Sequence, residues 1–322
     1  MRSITFNSWL SEHMHRFVEW RAAGGRNREY QAQQVRFFDR FLIAEGLTGP
    51  TVTHEIIDRY LEDLSRFSIS TQSTRFHVLR NLCIYIRRTD PQCYVPPLRK
   101  YRRTPYQPFI FELSQVQDLL AAASGLRYPN TLHPHTYRTL FGLLYATGMR
   151  VGEATALRLT DFDAERGLLY IAEGKFHKAR WVPLHPSACS AVQSYVERRR
   201  HMLPNGPQDP LFVNRIGRPL RHGKIYNVYG RLRKECGLLD LPNGPPRIHD
   251  LRHSFAVHRL LAWYEDGEDI NARLPSLATY MGHAHIRYTQ VYLSPTKELL
   301  NRVHARFHSY YVDNVKPQGD AS

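Results

Sequence analysis

The sequence predicts a mainly α-helical protein with a small β-hairpin or sheet, an α+β chain built as two units, and three observations predict it. Apolar and aromatic residues recur at three- and four-residue intervals through most of the 322 residues. One short stretch, GLLYIAEG with ARWVPL, alternates instead. Between Pro91 and Pro108 five prolines break any helical period. At roughly 150 residues per domain, this length suits about two cores.

Residues 8–90 read as four helices, in SWLSEHMHRFVEWRAAG, EYQAQQVRFFDRFLIAEG, THEIIDRYLEDLS and STQSTRFHVLRNLCIYIRRT. Gly24-Gly25, Gly46 to Pro50 and Ser68 to Thr71 punctuate them. Arg75, Arg80, Arg87 and Arg88 give the fourth a cationic side. The stretch 91–110 stays extended, and its basic run Arg99, Lys100, Arg102 and Arg103 reads equally as a solvated linker or as a strap across phosphates.

In the second unit SQVQDLLAAAS opens with a serine cap at Ser114, HTYRTLFGLLYATG ends at Gly148, and VGEATALRL follows at once as another helix. The alternating pair forms a β-hairpin whose tip is KFHK. Further helices are expected near 186–202, 222–236, 250–264, 275–281 and 296–308. The expected division is a helical unit at 1–90, a linker at 91–110, a second domain at 111–308 and a frayed tail at 309–322. Trp9, Trp20, Trp181 and Trp263 are expected in cores, and the histidines of HPH at 133–135 at the surface or in a helix cap.

Lys and Arg number 44 against 29 Asp and Glu, a formal charge of +15 with the histidines neutral. A folded chain with that field favours a polyanionic partner, nucleic acid above all. No apolar run reaches the roughly 18 to 20 residues of a membrane span, and the N-terminus has no signal-peptide core, so the expected setting is the cytoplasm with no membrane partner. Four scattered cysteines (Cys83, Cys93, Cys189, Cys236) lack C-x-x-C or zinc-ligand spacing and read as reduced thiols.

Three places gather basic and titratable residues at helix mouths. TGMRVGE carries Arg150 with Glu153 one turn on; RIHDLRHSFA carries His249 and Arg252 within one turn; YMGHAHIRYTQVY carries His283 with Tyr292 nine residues later. Two guanidinium groups suit a phosphodiester, because each gives paired hydrogen bonds and keeps its charge at any working pH. A tyrosine hydroxyl can attack that phosphorus and hold the bond energy as an ester while a lysine or histidine protonates the departing oxygen, with no metal or other cofactor.

In the order Arg150, Lys175, His249, Arg252, His283, Tyr292 the sequence resembles the tyrosine recombinase (phage integrase) family. The motifs TGMRVGE, GKFHKARWVPL, HDLRHSFA, MGH and TQVY stand in the family's order and spacing over residues 111–308. The resemblance implies a helical core-binding domain and a catalytic domain closing as a C-shaped clamp on duplex DNA. It implies that Arg150 and Arg252 clamp the scissile phosphate, that Tyr292 is the nucleophile forming a 3′-phosphotyrosyl link, and that Lys175 on the hairpin is the general acid. His249 and His283 would hydrogen-bond the phosphate oxygens or the nucleophile, Glu153 would orient the arginines, and His253 would buttress its helix. With Phe176 where the family's hairpin usually turns on glycine, either Lys175 or Lys178 is left to reach the leaving group. The implied partners are a double-stranded DNA recombination site and further copies of the chain in a synaptic homo-tetramer, with accessory proteins or sister recombinases as additional candidates. Phosphate contacts are expected from Arg75, Arg80, Arg87, Arg99, Lys100, Arg102, Arg103 and Lys178.

Two other classes compete. HDLRH echoes a zincin helix, with His249 and His253 one turn apart, yet it sets Arg252 beside any metal. A DNA-binding accessory protein of the same fold needs only the charge and the helices.

Overall fold

The computed structural model of the chain describes residues 5–102, 106–128, 130–172, 179–203, 206–242 and 244–294. It divides into two compact units, Met1–Tyr106 and Gln107–Ser322. Among the described residues no helix is long and apolar enough to cross a membrane.

The first unit holds α1 (Ser11–Ala23), α2 (Arg28–Ala44), α3 (His54–Ser65) and α4 (Ile69–Ile86). Asn27, Thr53 and Ser68 open the last three, their side-chain oxygens accepting from the backbone N–H groups of Tyr30, Ile56 and Thr71. Phe17, Phe38, Leu42, Ile57, Tyr60, Leu64, Leu79 and Leu82 form one apolar core from all four helices. The buried Asp39 accepts from the N–H groups of Asn7 and Ser8 at 3.1 and 2.9 Å, fastening the entering strand of chain to α2.

The second unit holds α5 (Leu113–Ser124), α6 (Leu132–Thr147), α7 (Val151–Ala156), a 3₁₀ turn at Leu159–Asp161, strands β1 (Phe162–Asp163), β2 (Leu168–Ile171) and β3 (Arg180–Pro183), then α8 (Pro186–Met202), α9 (His222–Glu235), α10 (Asp250–Glu265), α11 (Ile270–Met281) and α12 (Arg287–Gln290). The strands form an antiparallel sheet in the order β1-β2-β3, with Tyr170 opposite Trp181 and Ile171 opposite Arg180. Alternation buries Leu169, Ile171 and Val182, while Tyr170 and Trp181 stack on the other face with centroids 4.8 Å apart. The chain is therefore mainly helical with a small sheet.

Several expectations need correction. The cap of α5 is Glu112, not Ser114: the N–H of Glu112 donates to the Gln115 side chain at 2.9 Å in a reciprocal capping box. The hairpin gains a third strand, because Phe162-Asp163 pairs with Leu168-Leu169 across the turn at Gly167. The helix after Gly148 ends at Ala156, where Leu157 turns extended and is buried. The helix expected from Pro275 begins at Ile270, since Asp269 caps it and Pro275 sits inside it while Leu274, Leu277 and Met281 anchor the buried face. Trp20 and Trp181 are 42% and 57% exposed rather than in a core, each lying on a neighbouring tyrosine, Tyr85 and Tyr170. His133 and His135 are half-buried within the first turn of α6, His133 edge-on to Tyr137. The helix expected at 296–308 and the tail 309–322 lie outside the described residues.

Candidate active site

Two left-handed glycines bring the functional helices together. Gly148, with φ +60°, ends α6 and turns the chain so that Arg150 becomes the N-cap of α7; a Cβ there would collide with the Phe255 ring of α10. Gly282, with φ +68°, ends α11, and a Cβ there would lie 2.5 Å from Nη1 of Arg180. Only glycine takes this backbone without strain at so close an approach.

The end of α11 is held by three arginines. The carbonyl oxygens of Tyr280, Met281 and Gly282 accept, in turn, from Nε of Arg180 (2.9 Å), Nη2 of Arg252 (2.8 Å) and Nη2 of Arg150 (3.2 Å). These are the carbonyls a helix leaves unpaired, at the negative end of its dipole, so cations belong there. Arg252 also donates to the carbonyl of Gly148, which ties α10 to the end of α6.

Glu153, only 4% exposed, lies between two of these cations. Its carboxylate accepts from the backbone N–H and Nη1 of Arg150 at 3.0 and 2.7 Å, and from Nη2 of Arg180 at 2.9 Å. Burial raises the pKa of Glu153, but the hydrogen bonds from Arg180 and from the N–H of Arg150 outweigh it and hold the group below the usual carboxylate range. Arg252 is 2% exposed, and burial pushes its pKa down to about 10, against which Tyr292 acts; it stays a cation at neutral pH.

Tyr292 closes the site, 3% exposed and beside the charge of Arg252. Its ring stacks on His283 at 6.1 Å and meets His253 edge-on at 5.4 Å, and His253 in turn meets His249 edge-on at 5.0 Å. Burial raises the phenol's pKa, while the charge of Arg252 works to lower it. His283 is oriented by Nδ1, 2.8 Å from the hydroxyl of the fully buried Thr289. Burial and the surrounding guanidinium groups drive His283 down to about 3, His249 to about 4 and His253, also beside His249, to about 3. All three are neutral imidazoles at pH 7. His249 keeps an exposed edge at the N-cap of α10, open to an incoming ligand.

Arg150, Glu153, His249, Arg252, His253, His283 and Tyr292 thus converge. Lys175 and Lys178 lie outside the described residues, as does Arg103. The other expected phosphate contacts belong to the first unit. Arg75 lies over the rings of Phe37 and Phe67 at 3.7 and 4.2 Å, Arg80 donates to the carbonyl of Pro96 at 3.0 Å, and Arg87, Arg99, Lys100 and Arg102 are exposed. The sequence reading missed Arg180. Its signal was present in ARWVPL: period-two alternation puts Arg180 on the same face as Val182, and a cation on the buried face of a strand needs a counter-charge. Among the described residues no group of three or more His, Cys, Asp or Glu side chains is placed to hold a metal ion, so the zincin-like pair His249 and His253 finds no third ligand.

The phage integrase family profile matches residues 110–298. The chain belongs to the phage integrase family. It is 34% identical over 306 residues to the integrase/recombinase homologue y4rB of Sinorhizobium fredii, covering 93% of this chain and 97% of that one. It is 31% identical over 290 residues to tyrosine recombinase XerD of Halalkalibacterium halodurans, covering 88% and 89%. The fold matches XerH recombinase bound to its palindromic difH substrate (TM-score 0.62, 20% identity, 87% and 80% covered) and a lambda integrase dimer bound to a COC′ core site (TM-score 0.64, 17% identity, 90% and 78% covered). As a member of this family the chain is a tyrosine-type site-specific DNA recombinase, a DNA strand-transferase.

Proposed function

We propose that the converged residues cut and rejoin DNA by a metal-free and ATP-free transesterification. Arg150 and Arg252 clamp the scissile phosphate, and the Tyr292 oxygen, its proton passing to a neutral histidine of the site, attacks phosphorus to form a 3′-phosphotyrosyl ester. The 5′ oxygen leaves, protonated by Lys175 or Lys178, and the new 5′ hydroxyl of a partner duplex reverses the step. Neutral His249 and His283 hydrogen-bond the phosphate oxygens or the nucleophile; Glu153 orients Arg150, and His253 holds the Tyr292 ring from the side. The observation that carries this reading is the enclosure of Tyr292 between His283 and His253, beside the charge of Arg252, in a site where Arg150 and His249 also meet.

In this reading residues 1–90 bind the DNA core site, 91–110 link, 111–308 carry the chemistry and 309–322 form a tail. The partner is a double-stranded recombination site, exchanged within a homo-tetramer, for integration, excision or transposition of a mobile element, in the cytoplasm with the nucleoid. Support comes from neighbours of the same fold: a lambda integrase tetramer bound to a Holliday junction, and the Tn1549 transposon integrase in complex with transposon right end DNA.

The test is covalent trapping. The full chain is incubated with a pool of nicked duplexes randomised around the nick, in EDTA and without ATP, and the DNA adduct is recovered from a denaturing gel and sequenced. An adduct that Tyr292→Phe does not form is the expected result. Tight binding of the pool with no adduct would sink the assignment.

A further inference from the structure

The buried charge behind the candidate phosphate site is made by three guanidinium groups and one carboxylate, and Arg180 is the member to which the sequence motifs assign no role. Its Nε donates to the Tyr280 carbonyl at 2.9 Å, while Nη1 and Nη2 donate to Glu153 at 3.3 and 2.9 Å. Tyr280 returns the contact to β3, its hydroxyl donating to the Pro183 carbonyl at 3.0 Å. The side chain of Arg180 is 10% exposed, against 25% for Arg150. A guanidinium whose three nitrogens are all spent on protein groups does not face the substrate. Its charge acts through Glu153.

Without Arg180, the charges of Arg150, Arg252 and Glu153 leave the layer at +1, and Glu153 has Arg150 as its sole hydrogen-bonded counter-charge among the described residues. With Arg180 the layer stands at +2. A phosphodiester carries one negative charge, but the pentacoordinate phosphorus formed by attack of a tyrosyl oxygen carries two. A site at +2 therefore favours the transition state over the ground state, which is the difference that accelerates a reaction.

We propose that Arg180 is a positioning residue that neutralises Glu153, so that the charge and the fork of Arg150 are directed at the reacting phosphate. This rests on the reading of Arg150 and Arg252 as the phosphate clamp. The geometry adds that β3, the strand at the base of the lysine hairpin, delivers this balancing charge to the end of α11.

The experiment measures single-turnover adduct formation by the full chain at saturating concentration of the duplex recovered from the wild-type trap. Arg180→Met is expected to slow the step about 100-fold, the cost of losing one electrostatic donor, with DNA affinity changed less than about threefold. Arg180→Lys, which keeps the charge, is expected within about tenfold of wild type. The double variant Arg180→Met with Glu153→Gln removes both charges and restores +2, and is expected to run at least about tenfold faster than Arg180→Met alone. On a duplex with a methylphosphonate at the scissile position, which carries one negative charge fewer, the Arg180→Met defect is expected to shrink below about tenfold. A double variant no faster than the single, with circular dichroism like wild type, overturns the proposal. If Arg180→Met does not fold, an Arg180→Lys variant that folds but falls about 100-fold overturns it equally. A wild-type chain that forms no Tyr292-dependent adduct overturns the phosphate-clamp reading and this proposal with it, whereas an active wild type with no rescue removes Arg180 alone.

Discussion

The two units use arginine in opposite ways. In the first, Arg75 lies on Phe37 and Phe67, and Arg88 lies on the Trp20 ring at 4.8 Å, both at the surface of the helical core. In the second, Arg252 and Arg180 are inside, their donors directed at the carbonyls that end α11 and at one buried carboxylate. A surface guanidinium keeps its water and adjusts to whatever phosphate arrives, at the cost of salt sensitivity. A buried one has exchanged its water for fixed partners during folding, so it needs no reorganisation when charge develops on a substrate. In the proposed function, contact with DNA uses the first kind of cation and chemistry on it the second.

Arg252→Ala is the strongest way to break that comparison. It leaves the carbonyls of Gly148 and Met281 unpaired in the interior, and it is expected to lower adduct formation about 1,000-fold and stability by about 3 kcal/mol, read by gel and by urea unfolding. A fully stable Arg252→Ala would mean that the buried arginines are not structural partners of α11. Gly282→Ala follows, with a loss of about 2 kcal/mol, because the left-handed backbone is strained by a Cβ that also displaces Arg180. Unfolding by urea should show it, and an unchanged midpoint would separate the glycine from the arginine layer.

Acidity sharpens the contrast next. His253 and His283 stand near 3 in the folded chain, well below the usual value of about 6.5, so between those values the unfolded chain binds more protons. Their contribution is complete above about pH 6.5 and is lost as pH falls toward 3; stability in urea is expected to be level from pH 7 to 8 and lower by about 4 kcal/mol at pH 5, about 2 for each histidine. Adduct formation should likewise carry no histidine inflection between pH 7 and 8. In the first unit, Arg75→Ala is expected to cost about 1 kcal/mol through its lost aromatic contacts. Smallest, Arg87→Ala should weaken DNA binding a few-fold and reduce the slope of log affinity against log salt by about 1, measured by a salt titration.

Much of this site is legible in the sequence because its residues carry local signatures. Gly148 and Gly282 announce helix ends, and Arg150, His249, Arg252, His283 and Tyr292 follow at fixed short offsets from such ends. Arg180 is harder to see. Alternation in RWVP puts Arg180 on the inward face with Val182, but nothing local says that its counter-charge is a carboxylate 27 residues earlier in the chain. The start of α11 escapes for a similar reason: Pro275 argues for a helix start by its own chemistry, whereas the buried Leu274, Leu277 and Met281, with Asp269 at the cap, carry the helix through it. Trp181 was assigned to a core on its size, but its strand face is set by Ile171 and Val182 and turns it outward onto Tyr170.

By itself the sequence determined most of the helical segments of both units, that α6 ends at Gly148, that the chain carries +15 for a polyanion, and which residue types a phosphoryl transfer would use. Those properties depend on backbone preference, hydrophobic period and summed charge, all of which act over a few residues or over the whole composition. Tertiary structure alone decided that three arginines from β3, α7 and α10 share the last carbonyls of α11, that one buried carboxylate joins two of them, and that Tyr292 is enclosed between His253 and His283. Such pairings join residues up to 132 positions apart, and their strength comes from the exclusion of water that only the packed fold provides.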